Sequence, residues 1–167
     1  MTEITYVCNA SPLIFLAKID MLSLLDLYDL RIPRPVLDEI HKGSVKHAAD
    51  ASMILAYLSR RSITPVDVNM LNELPEYLGA GEKSVISCAV SENIGHVFID
   101  EAKARTVARF YGLIPRGVLG ILWKAYKSGE LHKDELESLS FRLIEQGYRI
   151  KEQLLVEFLK NIRSNGL

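Results

Sequence analysis

The chain opens with a short apolar run, residues 4–8, that leads directly into Asn9 and a helix-start sequence. A run of this kind predicts a buried β-strand, while Ser11 suits the N-cap of a helix and Pro12 its first helical position. Alternation of short apolar strands with helices then continues along the chain. This pattern predicts a parallel sheet covered by helices on both faces, a three-layer α/β/α sandwich.

The predicted elements are short and closely spaced, as expected for such a sheet. Strands are predicted over 4–8, 30–33, 96–99 and 112–115, and residues 63–66 form either a brief strand or an extended link. Helices are predicted after Ser11, over 21–27, from Pro35, over 48–58, from Gly81 and over 101–111, 118–127, 132–146 and 153–162. Residues 1–130 are predicted to form the α/β domain, and residues 131–167 a C-terminal helical extension that packs on it.

Composition sets the class of protein. At 167 residues and 49% apolar content, the chain is long enough for one domain with a substantial core. The formal net charge of -1 gives no general attraction to phosphates, so nucleic-acid binding would need a local basic patch. Cys8 and Cys88 lack zinc-site spacing and are predicted to be buried thiols. The uncharged run over 4–17 is too short to cross a bilayer, so we expect a soluble, cytoplasmic protein without membrane contact.

Polar residues recur where these strands and helices meet. Asn9 and Asp100 follow predicted strands, and Glu39 and Glu82 lie on helices that follow such junctions. Functional residues of parallel sheets gather at the carboxyl ends of the strands. The four side chains are therefore expected at one edge of the sheet. Two of the acids also have a purely structural interpretation. Asp100 suits the N-cap of a helix, and Glu82, in the first turn of a helix, interacts favourably with the helix dipole.

Helix geometry points the two glutamates toward apolar surface. Glu82 shares a face with Ile86 and Ala89, and Glu39 flanks the apolar stripe of its own helix. A carboxylate beside an apolar face needs a partner, which a bound cation would supply to several carboxylates at once. Oxygen ligands of this kind select magnesium or manganese over zinc.

Several segments, in this order and spacing, resemble the PIN domain family, and in particular its branch of predicted nucleic-acid-binding proteins. The segments are residues 9–14, 32–33 with 36–40, Gly81-Glu82 with the following helix, 99–105 and 117–122. The resemblance covers nearly the whole chain and implies an α/β/α sandwich with Mg²⁺- or Mn²⁺-dependent ribonuclease activity. By position, Glu39, Glu82 and Asp100 match the acidic cluster of the family, and Asn9 stands where an aspartate is usual.

The resemblance also implies partners. Family members are frequently toxins of toxin-antitoxin pairs, so RNA, a protein antitoxin and a second copy of the chain are the expected partners. Ser11, Lys103, Arg105 and Arg109 are candidates for nucleic-acid contact, although capping explains Ser11 and a solvated helix face explains the three cations. The alternative function is a PIN-like module that binds nucleic acid or a protein without cleavage. Residues 79–84 do not match the Walker A phosphate-binding motif, because Glu82 separates the glycine from Lys-Ser.

Overall fold

The computed structural model describes residues 3–43 and 48–164, so the remaining positions of the predicted domain ranges lie outside it. Strands and helices alternate along the described chain. The strands are β1 (Ile4–Cys8), β2 (Tyr28–Arg31), β3 (His96–Phe98) and β4 (Ile114–Arg116). The helices are α1 (Ala10–Lys18), α2 (Arg34–Gly43), α3 (Ala48–Arg60), α4 (Ala80–Ser91), α5 (Ala102–Phe110), α6 (Val118–Lys127), α7 (Lys133–Glu145) and α8 (Glu152–Ser164), with a 3₁₀ helix over Leu22–Leu27.

The four strands form one parallel sheet in the order β2-β1-β3-β4. Strand β1 lies inside the sheet, where Tyr6 pairs with Leu30 on one side and with His96 on the other. Helix α4 packs against β1 and β3, and α5 packs against β4. The predicted parallel α/β fold with flanking helices is therefore confirmed. Because the chain leaves β1 for β2 on one side and returns to β3 on the other, the order reverses between β1 and β3.

An aromatic stack joins the two inner strands. The rings of Tyr6 and Phe98 are parallel within 8°, with their centres 3.9 Å apart, and the Tyr28 ring meets both edge-on. Burial raises the pKa of Tyr6 and of Tyr28, while the nearby Arg116 guanidinium opposes the rise. Cys8 and Cys88 are buried and free, as predicted.

Several element boundaries differ from the predicted ones. Strand β2 begins at Tyr28 rather than Leu30, and the segment predicted as helix over 21–27 is the 3₁₀ helix. Residues 63–66 form an extended link with one parallel bridge, between Pro33 and Val66. Strand β4 starts later than predicted because Gly112, at φ 76°, still belongs to the turn that ends α5.

Two predicted helix caps are wrong. Helix α1 begins at Ala10 with Asn9 at its N-cap, so Ser11 lies inside the first turn. Helix α5 is capped by Glu101, whose Oε2 accepts a hydrogen bond from the Ala104 N–H at 2.9 Å. The two residues predicted as caps, Ser11 and Asp100, bind each other instead: Ser11 Oγ donates a hydrogen bond to Asp100 Oδ2 at 3.2 Å. The failed caps therefore identify a tertiary contact at the carboxyl end of the sheet.

The described residues form two compact units, which meet in sequence between Val118 and Leu119. In the second unit α7 packs on α8, and the Trp123 ring contacts those of Tyr126 and Phe158. The packing of residues 131–167 on the α/β domain stays a prediction. No helix in the described part of the chain is both long and apolar enough to cross a membrane.

Candidate active site

Asn9 and Asp100 lie just beyond the carboxyl ends of β1 and β3, where the strand order reverses. The Asn9 N–H donates to the Phe98 carbonyl at 3.0 Å, and the Ile99 N–H donates to the Arg116 carbonyl at 3.0 Å. These bonds extend the ladder by one residue past each strand and fix both backbones. This crevice is the usual ligand position of an open parallel sheet.

A buried oxygen of Asn9 has no hydrogen-bond partner. Asn9 is 5% exposed, and its Oδ1 atom is fully enclosed without a donor among the described residues. A buried acceptor left without a donor costs about 1–3 kcal/mol. An unsatisfied polar atom in a native fold therefore needs an explanation, and a missing ion or water is one of the common ones.

Gly81 brings Glu39 to the same place. A Cβ atom placed on Gly81 would lie 2.7 Å from Glu39 Oε2 and 3.0 Å from Asn9 Oδ1. The two oxygens thus share the space over the Gly81 backbone at the start of α4, where α2 and α4 pack together. Glycine is required here for space, because its backbone has ordinary helical angles.

Glu82 lies at the beginning of α4, and its carboxylate serves the helix. Its Oε2 accepts a hydrogen bond from the Gly79 N–H at 3.1 Å. Burial raises the pKa of Glu82, the Gly79 bond opposes the rise, and the charges of Glu101 and Glu39 add to it. Burial likewise raises the pKa of Glu39, against the influence of Lys42. Glu82 is therefore repelled by two other carboxylates, Glu39 and Glu101, and Glu101 was not among the acids predicted from the sequence.

Asp100 supports the junction between β4 and α6. Its Oδ1 accepts from the Val118 N–H at 2.8 Å, and its Oδ2 accepts from Ser11. Asp100 is also the charge that adds to the effect of burial in raising the pKa of the Cys8 thiol. Asp100 therefore lies close to the end of β1 and has a structural role.

We expect Asp100→Ala to lower the free energy of unfolding by about 1–3 kcal/mol, because the N–H of the buried Val118 loses its acceptor. Asp100→Asn keeps an acceptor oxygen, so its free energy of unfolding should fall by less than that of Asp100→Ala. Urea unfolding measures both. The control is Asp67→Ala, since the Asp67 side chain is 83% exposed and forms a surface ion pair with Arg34, so it should change stability by less than about 0.5 kcal/mol. If Asp100→Ala and Asp67→Ala lost equal amounts of unfolding free energy, the structural role of Asp100 would be contradicted.

The raised pKa values of Glu39 and Glu82 have a consequence for the protein without metal. A carboxyl group whose pKa is higher in the folded than in the unfolded state binds its proton more tightly when folded. Its stabilising contribution is complete below the unfolded pKa and is lost as the pH rises through the folded pKa.

We therefore expect the stability of the native chain relative to Glu82→Gln to fall between about pH 4.3, the ordinary glutamate pKa, and neutral pH. Glutamine keeps an acceptor for the Gly79 N–H but does not titrate. Urea unfolding of both proteins in chelator, over this range, measures the difference. A stability difference that stays constant with pH, or that rises, would contradict the burial of Glu82.

The three basic candidates on α5 do not share one face. Lys103 lies in the first turn, two residues after Glu101, and its Nζ is 5.7 Å from the centre of the Tyr77 ring. Arg105 follows about 200° around the helix, and Arg109 lies in the last turn, about 9 Å along the axis from Lys103. Of the three, Lys103 is the one that lies in the same turn as Glu101, at the start of α5.

The family model for the PIN domain matches residues 5–164, which include most of both compact units and every candidate site residue. The chain belongs to the PIN domain family. Neither the curated proteins nor the solved structures provide a match. Membership gives the chain a nuclease-type fold, and proteins of this family generally depend on a divalent metal and bind nucleic acid.

The oxygen atoms around Gly81 can be compared with those that a divalent ion requires. In the described part of the chain, no three His, Cys, Asp or Glu side chains are already arranged around one point. Two oxygens do converge, however, from Asn9 and Glu39, and one of them is buried without a donor. Glu82 has its charge close to Glu39. Oxygen donors of this type fit Mg²⁺ or Mn²⁺, which would also relieve the repulsion among the acids.

Proposed function

We propose that the chain is a Mg²⁺- or Mn²⁺-dependent ribonuclease of the PIN type. The observation that carries the proposal is the convergence of the unsatisfied Asn9 Oδ1 and Glu39 Oε2 over Gly81. An ion there would be held by Asn9 and Glu39, with Glu82 released from its helix cap and Asp100 completing the set. Asn9 contributes a neutral oxygen, so the charge must come from the three acids.

When bound, the metal activates a water and stabilises the leaving oxygen of the phosphodiester. The residues of the chain supply the surroundings. Burial raises the pKa values of Glu39 and Glu82, so a cation held by these two residues would favour their ionised forms. The Ser11 hydroxyl fixes the orientation of the Asp100 carboxylate. The carboxylates are partly exposed rather than enclosed, which leaves room for a polymer to reach them.

The test is cleavage of a mixed-sequence RNA by the native chain in manganese and in chelator, beside Glu82→Gln. Glutamine preserves the acceptor that caps α4, so this variant should fold normally but lose a charge from the site. We expect weak cleavage by the native chain that requires manganese and is absent from Glu82→Gln. Cleavage that persists in Glu82→Gln would come from a contaminant or another site and would contradict the assignment.

A second function is favoured by Asn9 itself. Asn9 is uncharged at a position where aspartate is usual, so the chain could instead be a PIN-like module that binds RNA or a protein without cleavage. Binding of RNA by the native chain with no cleavage at any manganese concentration would support this alternative.

We extend the first proposal to a toxin that acts in the cytoplasm, forms a homodimer and is neutralised by a protein antitoxin. The family resemblance supports this extension, and α8 leaves Leu154 and Val156 52% and 43% exposed. Induced expression should then arrest bacterial growth with the native chain but not with Glu82→Gln. Light scattering on the purified chain tests the dimer. Growth unaffected by either protein would remove the toxin role.

A further inference from the structure

An exposed aromatic ring, that of Tyr77, lies close to a cation on the first turn of α5. Tyr77 is 64% exposed, and Lys103 Nζ lies 5.7 Å from its ring centre. The exposed ring leaves an aromatic face free to stack on a ligand, and it lies close to a positive charge.

The segment that carries Tyr77 is anchored on both sides of it. Leu74 and Leu78 are 8% and 4% exposed, and the Leu78 N–H donates to the Pro75 carbonyl at 3.2 Å. Upstream, the Leu71 N–H donates to Ser87 Oγ on α4 at 3.0 Å. The ring is therefore held outward by an ordered backbone, so a ligand that stacks on it does not have to order a loop first.

The pair also spans the two helix starts that carry the acids. Tyr77 is two residues before Gly79, the hydrogen-bond donor to Glu82 at the start of α4. Lys103 is two residues after Glu101, whose charge reaches Glu82. The ring and the ammonium group thus lie at the rim of the same edge as the carboxylates.

We propose that Tyr77 and Lys103 form a binding subsite for one unpaired nucleotide of single-stranded RNA, next to the candidate metal site. The base stacks on the Tyr77 ring, and Lys103 moves from the ring to a neighbouring phosphate. Stacking accepts any base but requires a free base face, which a duplex does not offer. A cation at this place also offsets the repulsion between the carboxylates and the phosphate backbone. The inference rests on the proposed function in one respect, that RNA is the ligand.

Binding is tested without cleavage, by fluorescence anisotropy of a short labelled single-stranded RNA in chelator. We expect Tyr77→Ala to weaken binding about five- to hundredfold, the range for loss of one stacked base. Tyr77→Phe, which retains the ring, should stay within about twofold of the native chain. The matched control is Phe141→Ala, because Phe141 is another exposed aromatic residue, on α7 in the second unit, and its loss should change nothing.

Lys103→Ala should reduce the dependence of the RNA affinity on salt by about one phosphate contact. Duplex RNA of the same sequence should bind native and Tyr77→Ala proteins equally. The inference is overturned if the native chain does not bind single-stranded RNA, if Tyr77→Ala binds it as well as the native chain, or if Phe141→Ala is equally damaged. Failure of cleavage with Tyr77-dependent binding intact would overturn the nuclease proposal alone.

Discussion

Asn9→Asp is expected to bind manganese about a hundredfold more tightly than the native chain, and to cut RNA correspondingly faster at limiting metal. A carboxylate about 4 Å from the ion gains roughly 4 kcal/mol per unit of cation charge at an effective dielectric constant near 20, before desolvation. The loss to desolvation leaves on the order of 3 kcal/mol, which is the hundredfold change. Isothermal titration calorimetry measures the affinity directly.

The same substitution should destabilise the protein in the absence of metal. Asn9 is 5% exposed and beside Glu39, so a new charge there is poorly solvated and repelled. We expect Asn9→Asp to lose about 1–3 kcal/mol of unfolding free energy in chelator, in the range for an unsatisfied buried group. Manganese should restore that stability and raise the melting temperature more than it does for the native chain.

The double variant Asn9→Asp with Glu82→Gln is the control. If the ion is held by both residues, the second change should remove most of the gain in affinity. An Asn9→Asp protein that binds manganese no better than the native chain would show that Oδ1 of residue 9 does not face the ion. Cleavage gained without tighter binding would place the new charge in another role.

Gly81→Ala, made in the Asn9→Asp background, should weaken manganese binding at least about tenfold with little change in fold. The added methyl group would stand 2.7 Å from Glu39 Oε2 and 3.0 Å from Oδ1 of residue 9, so both oxygens must move apart. The clash falls on the ends of side chains, which can rotate away. Alanine also favours helix over glycine by about 0.5–1 kcal/mol. Thermal melting in chelator and manganese titration separate the two effects.

Gly95→Ala is the matched control, because no atom lies within 4 Å of a Cβ built at Gly95. It should leave both the manganese affinity and the melting temperature close to those of its parent. Manganese affinity unchanged by Gly81→Ala would show that the space over Gly81 is not where the ion lies. Unfolding of Gly81→Ala in chelator would show that the position is structural.

The strand and helix alternation made the fold predictable from sequence. Short apolar strands separated by helices leave little choice but a parallel sheet, and residues that follow such strands lie at one edge of it. This placed Asn9 and Asp100 correctly. The cap assignments failed at Ser11 and Asp100 because local propensity does not register a hydrogen bond between residues far apart in sequence.

Other parts of the site depend on distances that no pattern in the chain encodes. Gly81 matters through the space between two helices, although the glycine beside Glu82 was a visible signal. Glu101 looked like a first helical residue, and only the folded chain shows that its charge reaches Glu82. Tyr77 lies in a segment without helix or strand periodicity, so nothing indicated that its ring would be exposed beside Lys103.

The position of β1 inside the sheet has a consequence for biosynthesis. Tyr6 pairs with His96, so β1, which is synthesised before β3, lacks one of its two neighbours until β3 has been made. Contacts of such long sequence separation form slowly, because the intervening chain must first be closed into a loop. That same pairing continues into the hydrogen bond between the Asn9 N–H and the Phe98 carbonyl, two residues before Asp100. A nascent or partly folded chain therefore has no assembled centre, and any hydrolytic activity would begin only with the completed sheet.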